Sequence, residues 1–225
     1  DFYEDIFEKV ESEKADFGII PVENTLRGSD GEIFNLLAKS PLFIYGETEI
    51  KVDYCLIGAP KTSLKNIKSV FVSPDALRQV RNFIKEKKLI TIPSYRPMES
   101  LKVLVDSGET KSGAIFNQRA AEKFEMELIE KNVEIEYEDF TRYFIVSRTE
   151  NDKDLKFLHK TSIVFQTGHN PGSLNQILEE FSNHKINLTG LQSQPIAGHP
   201  WVYRFFLDFE GNKDELRVKK LFQKV

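Results

Sequence analysis

An α/β fold in two modules is what this sequence predicts, and three observations carry it. Short apolar runs alternate with amphipathic helical periodicities up to about residue 148. The stretch Arg148–Lys156, RTENDKDLK, is then almost entirely polar or charged and reads as a linker, the alternative being a charged turn inside one domain. After it the pattern restarts as β-α-β-β-α. Short strands alternating with helices imply a mostly parallel sheet covered by helices.

Each element follows from local pattern. Phe2, Ile6 and Val10 recur at four-residue spacing with Phe7 beside them, which predicts a helix over Asp1–Ser12. Phe17–Val22 is a buried strand. Ser29 with Glu32 three residues later reads as a capping box, opening a helix from about Asp30 to Ala38 with Ile33, Phe34 and Leu37 inward. Glu47–Gly58 alternates as one long strand and Lys68–Val72 as a short one. Ser73 before Pro74 is an N-cap with a first-turn proline, opening a helix with Leu77, Val80 and Ile84 on one face. Strand Leu89–Ile92, helix Met98–Ser107, strand Gly113–Phe116 and helix Asn117–Phe124 continue the alternation. Strands Val133–Tyr137 and Tyr143–Ser147 close the first module. The second reads as strand Thr161–Thr167, helix Gly172–His184, strands Ile186–Ser193 and Trp201–Phe209, and a helix from Asp214. That is a ferredoxin-like βαββαβ unit without its last strand.

Composition excludes several function classes. With 40% hydrophobic and 29% charged residues, the 225-residue chain is of ordinary globular make-up and can bury a sizeable core. Its net charge of −4, with scattered Lys and Arg, supplies no field for nucleic acid, so an anionic ligand needs local arginine. No apolar run approaches the roughly 18 residues of a membrane span, and nothing resembles a signal peptide. Cys55 stands alone, which fits a reducing compartment and a cytoplasmic location. Asp1 enters directly into a helical pattern, so further residues are expected before it. His159, His169, His184 and His199 lack the paired spacing of a metal site, and there is no glycine-rich phosphate loop, so neither metal nor cofactor is expected.

What remains is a polar set at the ends of elements: Glu23-Asn24-Thr25, Ser73 with Gln79, and Thr141-Arg142. Loops at strand ends are where α/β proteins keep their ligands. Taken singly, each residue has a plainer reading: Asn after a strand is commonly a turn former, and Thr-Arg before a strand is unremarkable. Glu23 is expected to cap or to pair with Arg27, because a carboxylate repels an anionic ligand.

Gly18–Ser29, GIIPVENTLRGS, resembles the prephenate dehydratase segment that reads Pro-Ile-Glu-Asn-Ser followed by Gly-Ser. Asp139–Val146, DFTRYFIV, is similar to that family's Asn-x-Thr-Arg-Phe signature. Between them Val72–Ile84, VSPDALRQVRNFI, resembles its Ser-His-Pro-Gln stretch and the helix that follows. Residues 160–225 resemble the ACT regulatory domain often attached to these enzymes. The resemblance implies a catalytic domain over 1–148, two-lobed like type II periplasmic binding proteins with substrate in the cleft, a linker over 149–158 and an ACT domain over 159–225. It implies conversion of prephenate to phenylpyruvate in phenylalanine biosynthesis, by a lyase that assembles as a homodimer or homotetramer and responds to L-phenylalanine. Thr141, Asn24 and Gln79 match catalytic positions, with the Thr141 hydroxyl helping the leaving group. Arg142 is the implied partner of a substrate carboxylate, and Thr25, Gly28, Ser29, Ser73 and Tyr143 the remaining substrate contacts.

For the effector, Asn170, Pro171, Gly172, Ser173 and Leu174 match the family's Pro-Gly-Ala-Leu loop, although an ordinary helix start reads the same way. Gln192, Ser193 and Gln194, before Pro195, stand where the family has Glu-Ser-Arg-Pro, with two charges lost. Other departures are Val72-Ser73 at the family's Ser-His pair, Tyr143 at its usual Phe, and the lack of its first strand and glycine-rich loop. Two other activities fit the same residues: arogenate as substrate, and a non-catalytic amino-acid sensor. Whether a chorismate mutase segment precedes Asp1 is left open by the sequence.

Overall fold

A computed structural model describes residues 2–134, 138–151, 159–168, 170–196 and 198–224 of the chain. The fold divides into two compact units, Asp1–Glu49 with Arg142–Val225, and Ile50–Thr141.

In the first unit, helix α1 (Tyr3–Glu11) has Glu4 and Asp5 in its first turn and Lys9 in its last, each complementing the helix dipole. It buries Phe7 and Val10, close to β1 (Phe17–Asn24). After a two-residue β2 (Gly28–Ser29), helix α2 (Gly31–Leu37) buries Ile33 and Phe34. Its cap is Asp30, whose carboxylate accepts from Glu32 N at 3.1 Å; Ser29, the expected cap, is instead held in β2 opposite Glu23. Strand β3 (Phe43–Lys51) follows, and much later β9 (Phe140–Ser147) returns, giving a sheet in the order β2-β1-β9-β3. The chain thus passes between the units in two neighbouring strands, β3 and β9.

The same unit contains a second sheet: β10 (Lys160–Phe165), α6 (Ser173–Asn183), β11 (Leu188–Pro195), β12 (Tyr203–Glu210) and α7 (Leu216–Phe222). The strands run β10-β12-β11, all antiparallel, with β12 inside. Alternation along β12 divides its side chains between two faces. Leu207 and Phe209 pack with Phe181, Val218 and Leu221 of the two helices. Phe206 points the other way, into the core of Ile20, Val22, Ile33, Phe34 and Phe144, with its ring 5.0 Å from that of Phe34. At the expected linker, residues 152–158 lie outside the described residues. At its start, Arg148 donates to Val10 O at 2.5 Å and to Ala15 O at 2.8 Å, and Asn151 to Tyr45 O at 2.9 Å.

The second unit is a sheet in the order β6-β5-β7-β4-β8, from β4 (Cys55–Gly58), β5 (Ser69–Val72), β6 (Ile90–Pro93), β7 (Ser112–Phe116) and β8 (Glu127–Glu130). Helices α3 (Pro74–Glu86), α4 (Pro97–Ser107) and α5 (Gln118–Lys123) cover it. Leu56 and Ile115 face one cluster with Val80 and Ile84, while Cys55, Ile57 and Ala114 face another with Leu101 and Leu104. Burial on both faces explains why these strands are continuous apolar runs.

Three expectations are corrected. The sheet is mixed: β5 pairs in parallel with β6 and β7, but β4 is antiparallel to β7 and β8. Glu47–Gly58 is two strands, broken over residues 52–54, because Val52 N turns to Asp139 O and Tyr54 N to the Glu134 carboxylate. Glu127–Glu130 is a strand that its two central apolar residues were too few to signal, whereas Val133 and Glu134 are not in one and residues 135–137 lie outside the described residues.

Candidate functional site

Asn24 closes β1 and is 4% exposed. Its side-chain oxygen accepts from Leu26 N at 3.1 Å and Arg27 N at 3.0 Å, the geometry by which asparagine shapes a turn. The register Asn24↔Gly28 leaves Thr25, Leu26 and Arg27 as a three-residue hairpin loop, with Thr25 exposed. Gly28, at φ +78°, supplies the left-handed residue such loops need. The Ser29 hydroxyl accepts from Gln192 Nε2 of β11, joining an expected substrate residue to an expected effector residue.

In the second unit Ser73 is the N-cap of α3: its hydroxyl accepts from Ala76 N at 3.2 Å, and Pro74 fills the first turn. Gln79 is only 8% exposed, and its amide makes no side-chain hydrogen bond among the described residues. Its amide is not among the buried side-chain atoms left without a partner, of which Thr62 Oγ1 is one, so it keeps access to solvent. Thr141, at 4% exposure, is the second residue of β9.

Adjacent residues of a strand point to opposite faces, which separates Thr141 from Arg142. Arg142 shares its face with Phe144, lying 4.8 Å over that ring, and its side chain is 13% exposed. Its Nε donates to Glu47 Oε2 at 2.8 Å and its Nη2 to Asp208 Oδ2 at 2.8 Å, while Nη1 lies 3.6 Å from Glu23 Oε2. Lys160 Nζ pairs with the other oxygen of Glu47, and Ser162 Oγ donates to Asp208 Oδ1 at 2.6 Å. Burial alone would push the Glu47 carboxyl up, but hydrogen bonds and charge from Lys160 and Arg142 override it and hold it below the ordinary value. Burial likewise opposes the charged Arg142, and Asp208 and Glu47 raise it nonetheless. Tyr143 points with Thr141 and is half-buried.

Asp208, Glu47 and Lys160 are the residues that sequence reasoning missed. A signal existed for Asp208, a carboxylate at 6% exposure in the middle of the apolar run RFFLDFE, since such a charge requires a cation. Nothing local pointed to Glu47 or Lys160.

At the expected effector loop, Gly172 adopts φ +86° and starts α6 without any side-chain cap. Ser173 N donates to Asn170 O at 3.2 Å. Asn170 and Pro171 are exposed, whereas Leu174, Gln192 and Gln194 are half-buried and Ser193 exposed.

A family model described as prephenate dehydratase matches residues 2–151. Over 224 residues the chain is 32% identical to a bifunctional chorismate mutase/prephenate dehydratase of Aquifex aeolicus, covering 98% of this chain and 60% of that protein's length. It is also 32% identical to a prephenate dehydratase of Methanocaldococcus jannaschii, covering 94% of this chain and 77% of that one. Among solved structures, one described as a novel type of quorum-quenching acylase matches at TM-score 0.86 and 26% identity, over 99% of this chain and 81% of the other. A prephenate dehydratase of Arthrobacter aurescens in complex with L-Phe matches at TM-score 0.81 and 24% identity, over 96% and 72%, a likeness of fold.

Proposed function

Because this chain belongs to the prephenate dehydratase family, we propose that it converts prephenate to phenylpyruvate, the committed chemistry of a phenylalanine-forming route. The match over residues 2–151 carries this reading, since the fold alone also serves a protein described as an acylase. In the reaction the bond from ring to carboxylate breaks and its electron pair completes the aromatic ring. The ring hydroxyl leaves as water after gaining a proton, and carbon dioxide departs. Aromatisation supplies the driving force, so the protein's part is to orient the substrate and assist the hydroxyl.

Thr141 is the group assigned to the leaving hydroxyl. A threonine is a weak acid, so its role is an oriented hydrogen bond, and positioned proton transfer of this kind is typically worth about 10²–10⁴ in rate. Asn24 and Gln79 are assigned to substrate as neutral donors; the low exposure of both side chains supports this. Thr25, Gly28, Ser29, Ser73 and Tyr143 complete the assignment. Arg142 is engaged by Glu47 and Asp208, so a substrate carboxylate would have to compete with both.

We read the N-terminal catalytic region as two-lobed, like type II periplasmic binding proteins, and residues 159–225 as an ACT domain. The β10-β12-β11 order, with two helices on one face, supports the second reading. L-Phenylalanine is the effector proposed, held at the uncapped N-terminus of α6, with the Arthrobacter complex as support. A homodimer or homotetramer in the cytoplasm completes the proposal; among the described residues no helix is long and apolar enough to cross a membrane.

The test is to incubate the protein with prephenate and follow phenylpyruvate by its absorbance in base. Product above the non-enzymatic background is expected, and its absence rejects the reading. Arogenate run alongside separates the two substrates, and phenylalanine binding without turnover would point to a sensor.

A further inference from the structure

We propose that Asp208 is a positioning residue for the dehydratase reaction: through Arg142 it fixes strand β9, and with it the Thr141 hydroxyl on the strand's other face. The proposal rests on the catalytic reading of Thr141 given above. It makes the β10-β12-β11 sheet a working part of the catalytic unit, where a purely regulatory module would leave basal turnover untouched.

Three observations carry it. Arg142 spans three strands, with Glu47 on β3 and Asp208 on β12 accepting from its Nε and Nη2 at 2.8 Å each. Such charge-assisted pairs fix geometry as well as supplying energy. Second, Asp208 is itself over-determined, because its other oxygen accepts from Ser162 at 2.6 Å on the neighbouring β10. Alternation along β12 sets its direction: it lies on the Phe206 face, which packs against the N-terminal core. Third, β3 and β9 are the strands in which the chain passes between units, and Thr141 is the residue next to Arg142 at that passage. The opposite-face rule means that Arg142 acts on Thr141 through the backbone, with no shared ligand required. A catalytic hydroxyl displaced by about 1 Å loses on the order of 10²-fold in rate, so a clamp on its strand has ample leverage.

The test is steady-state kinetics on full-length variants with prephenate. Asp208→Asn keeps the shape but removes the charge, and Asp208→Glu restores it. Expected are at least a tenfold fall in kcat for Asp208→Asn with KM within threefold of wild type, partial recovery in Asp208→Glu, and no change in Asp214→Asn, an exposed carboxylate paired with Lys219. The double variant Asp208→Asn/Arg142→Gln should be no slower than the worse single variant. Wild-type kcat in Asp208→Asn, or additive losses in the double variant, overturns the proposal. A rise of more than tenfold in KM at unchanged kcat for Arg142→Gln also overturns it, by making Arg142 a substrate ligand. Should Asp208→Asn fail to fold, Ser162→Ala decides: lowered kcat at unchanged KM supports the clamp, and wild-type kcat refutes it. If the wild type itself makes no phenylpyruvate, the catalytic reading fails separately; the same double-mutant cycle in urea then reads whether Asp208 and Arg142 are coupled.

Discussion

Replacing Thr141 by valine tests the assigned chemistry while leaving the shape of a buried strand residue nearly intact. At 4% exposure the site has no room for a larger side chain, and valine exchanges the hydroxyl for a methyl of similar size. The change still matters to stability, because a buried hydroxyl and its partner are separated, at about 1 kcal/mol. A domain of ordinary stability, about 5–15 kcal/mol, would remain more than about 99% folded after that loss. Unfolding therefore cannot account for a large fall in turnover. The chemistry predicts one: losing a positioned donor lowers kcat by about 10²–10⁴, or roughly 3–5 kcal/mol at 1.36 kcal/mol per decade. Binding contacts elsewhere are retained, so KM should move by less than about threefold. The assay is phenylpyruvate formation at saturating prephenate, with a urea melt on the same preparation. A kcat within threefold of wild type in a folded Thr141→Val protein removes this residue from the mechanism.

Gln79→Leu is expected to lower kcat/KM at least tenfold while leaving the urea midpoint unchanged or higher, because the amide it removes makes no side-chain hydrogen bond among the described residues; a parallel loss of stability would mean the amide serves the fold. Ser73→Ala removes the bond to Ala76 N at 3.2 Å and should lower unfolding free energy by about 1 kcal/mol, read from urea curves of unchanged slope; an unmoved midpoint shows the cap to be idle. For Glu47 the sign follows from a folded pKa below its ordinary value of 4.5: its stabilisation is fully present above that value and is lost as pH falls through the lower, folded one. Because Glu47 is partly exposed and its pairs are screened by solvent, wild type should exceed Glu47→Gln in stability by only about 1 kcal/mol or less at pH 7, with the gap closing below about pH 4.5; a gap independent of pH from 7 to 3 rejects the ion-pair account.

Local patterns with a local cause were legible in the sequence. Ser73-Pro74 opens a helix because cap and proline act within one turn, and the apolar spacing of α1 identifies its buried face without any partner. The break after β3 was not legible, since the groups that turn Val52 and Tyr54 out of line, Asp139 and Glu134, lie some 80 residues on. The cap of α2 was misplaced by one residue because Ser29 and Asp30 are both good caps, and pairing of β2 with β1 removes the serine. For the site, residue types were readable and directions were not. Thr141 and Arg142 look like one constellation in sequence, yet their strand sends them to opposite faces, a fact that depends on β9 starting at Phe140 rather than at the expected Tyr143.

That separation changes the electrostatic account of the site. Arg142 and Lys160 are two cations facing three carboxylates, Glu23, Glu47 and Asp208, so the cluster around Arg142 carries net negative charge. A dicarboxylate approaching it would be repelled, and removing Arg142 from Asp208 would leave a buried carboxylate unpaired, a change that usually costs several kcal/mol. The guanidinium is thus more valuable to the fold than to an anionic ligand. On the proposed reading, Asn24, Gln79, Ser73 and Thr141 would meet the substrate as neutral amides and hydroxyls. The proposed chemistry is compatible with such groups, because a strong ion pair on the departing carboxylate would stabilise the ground state against the very bond that must break.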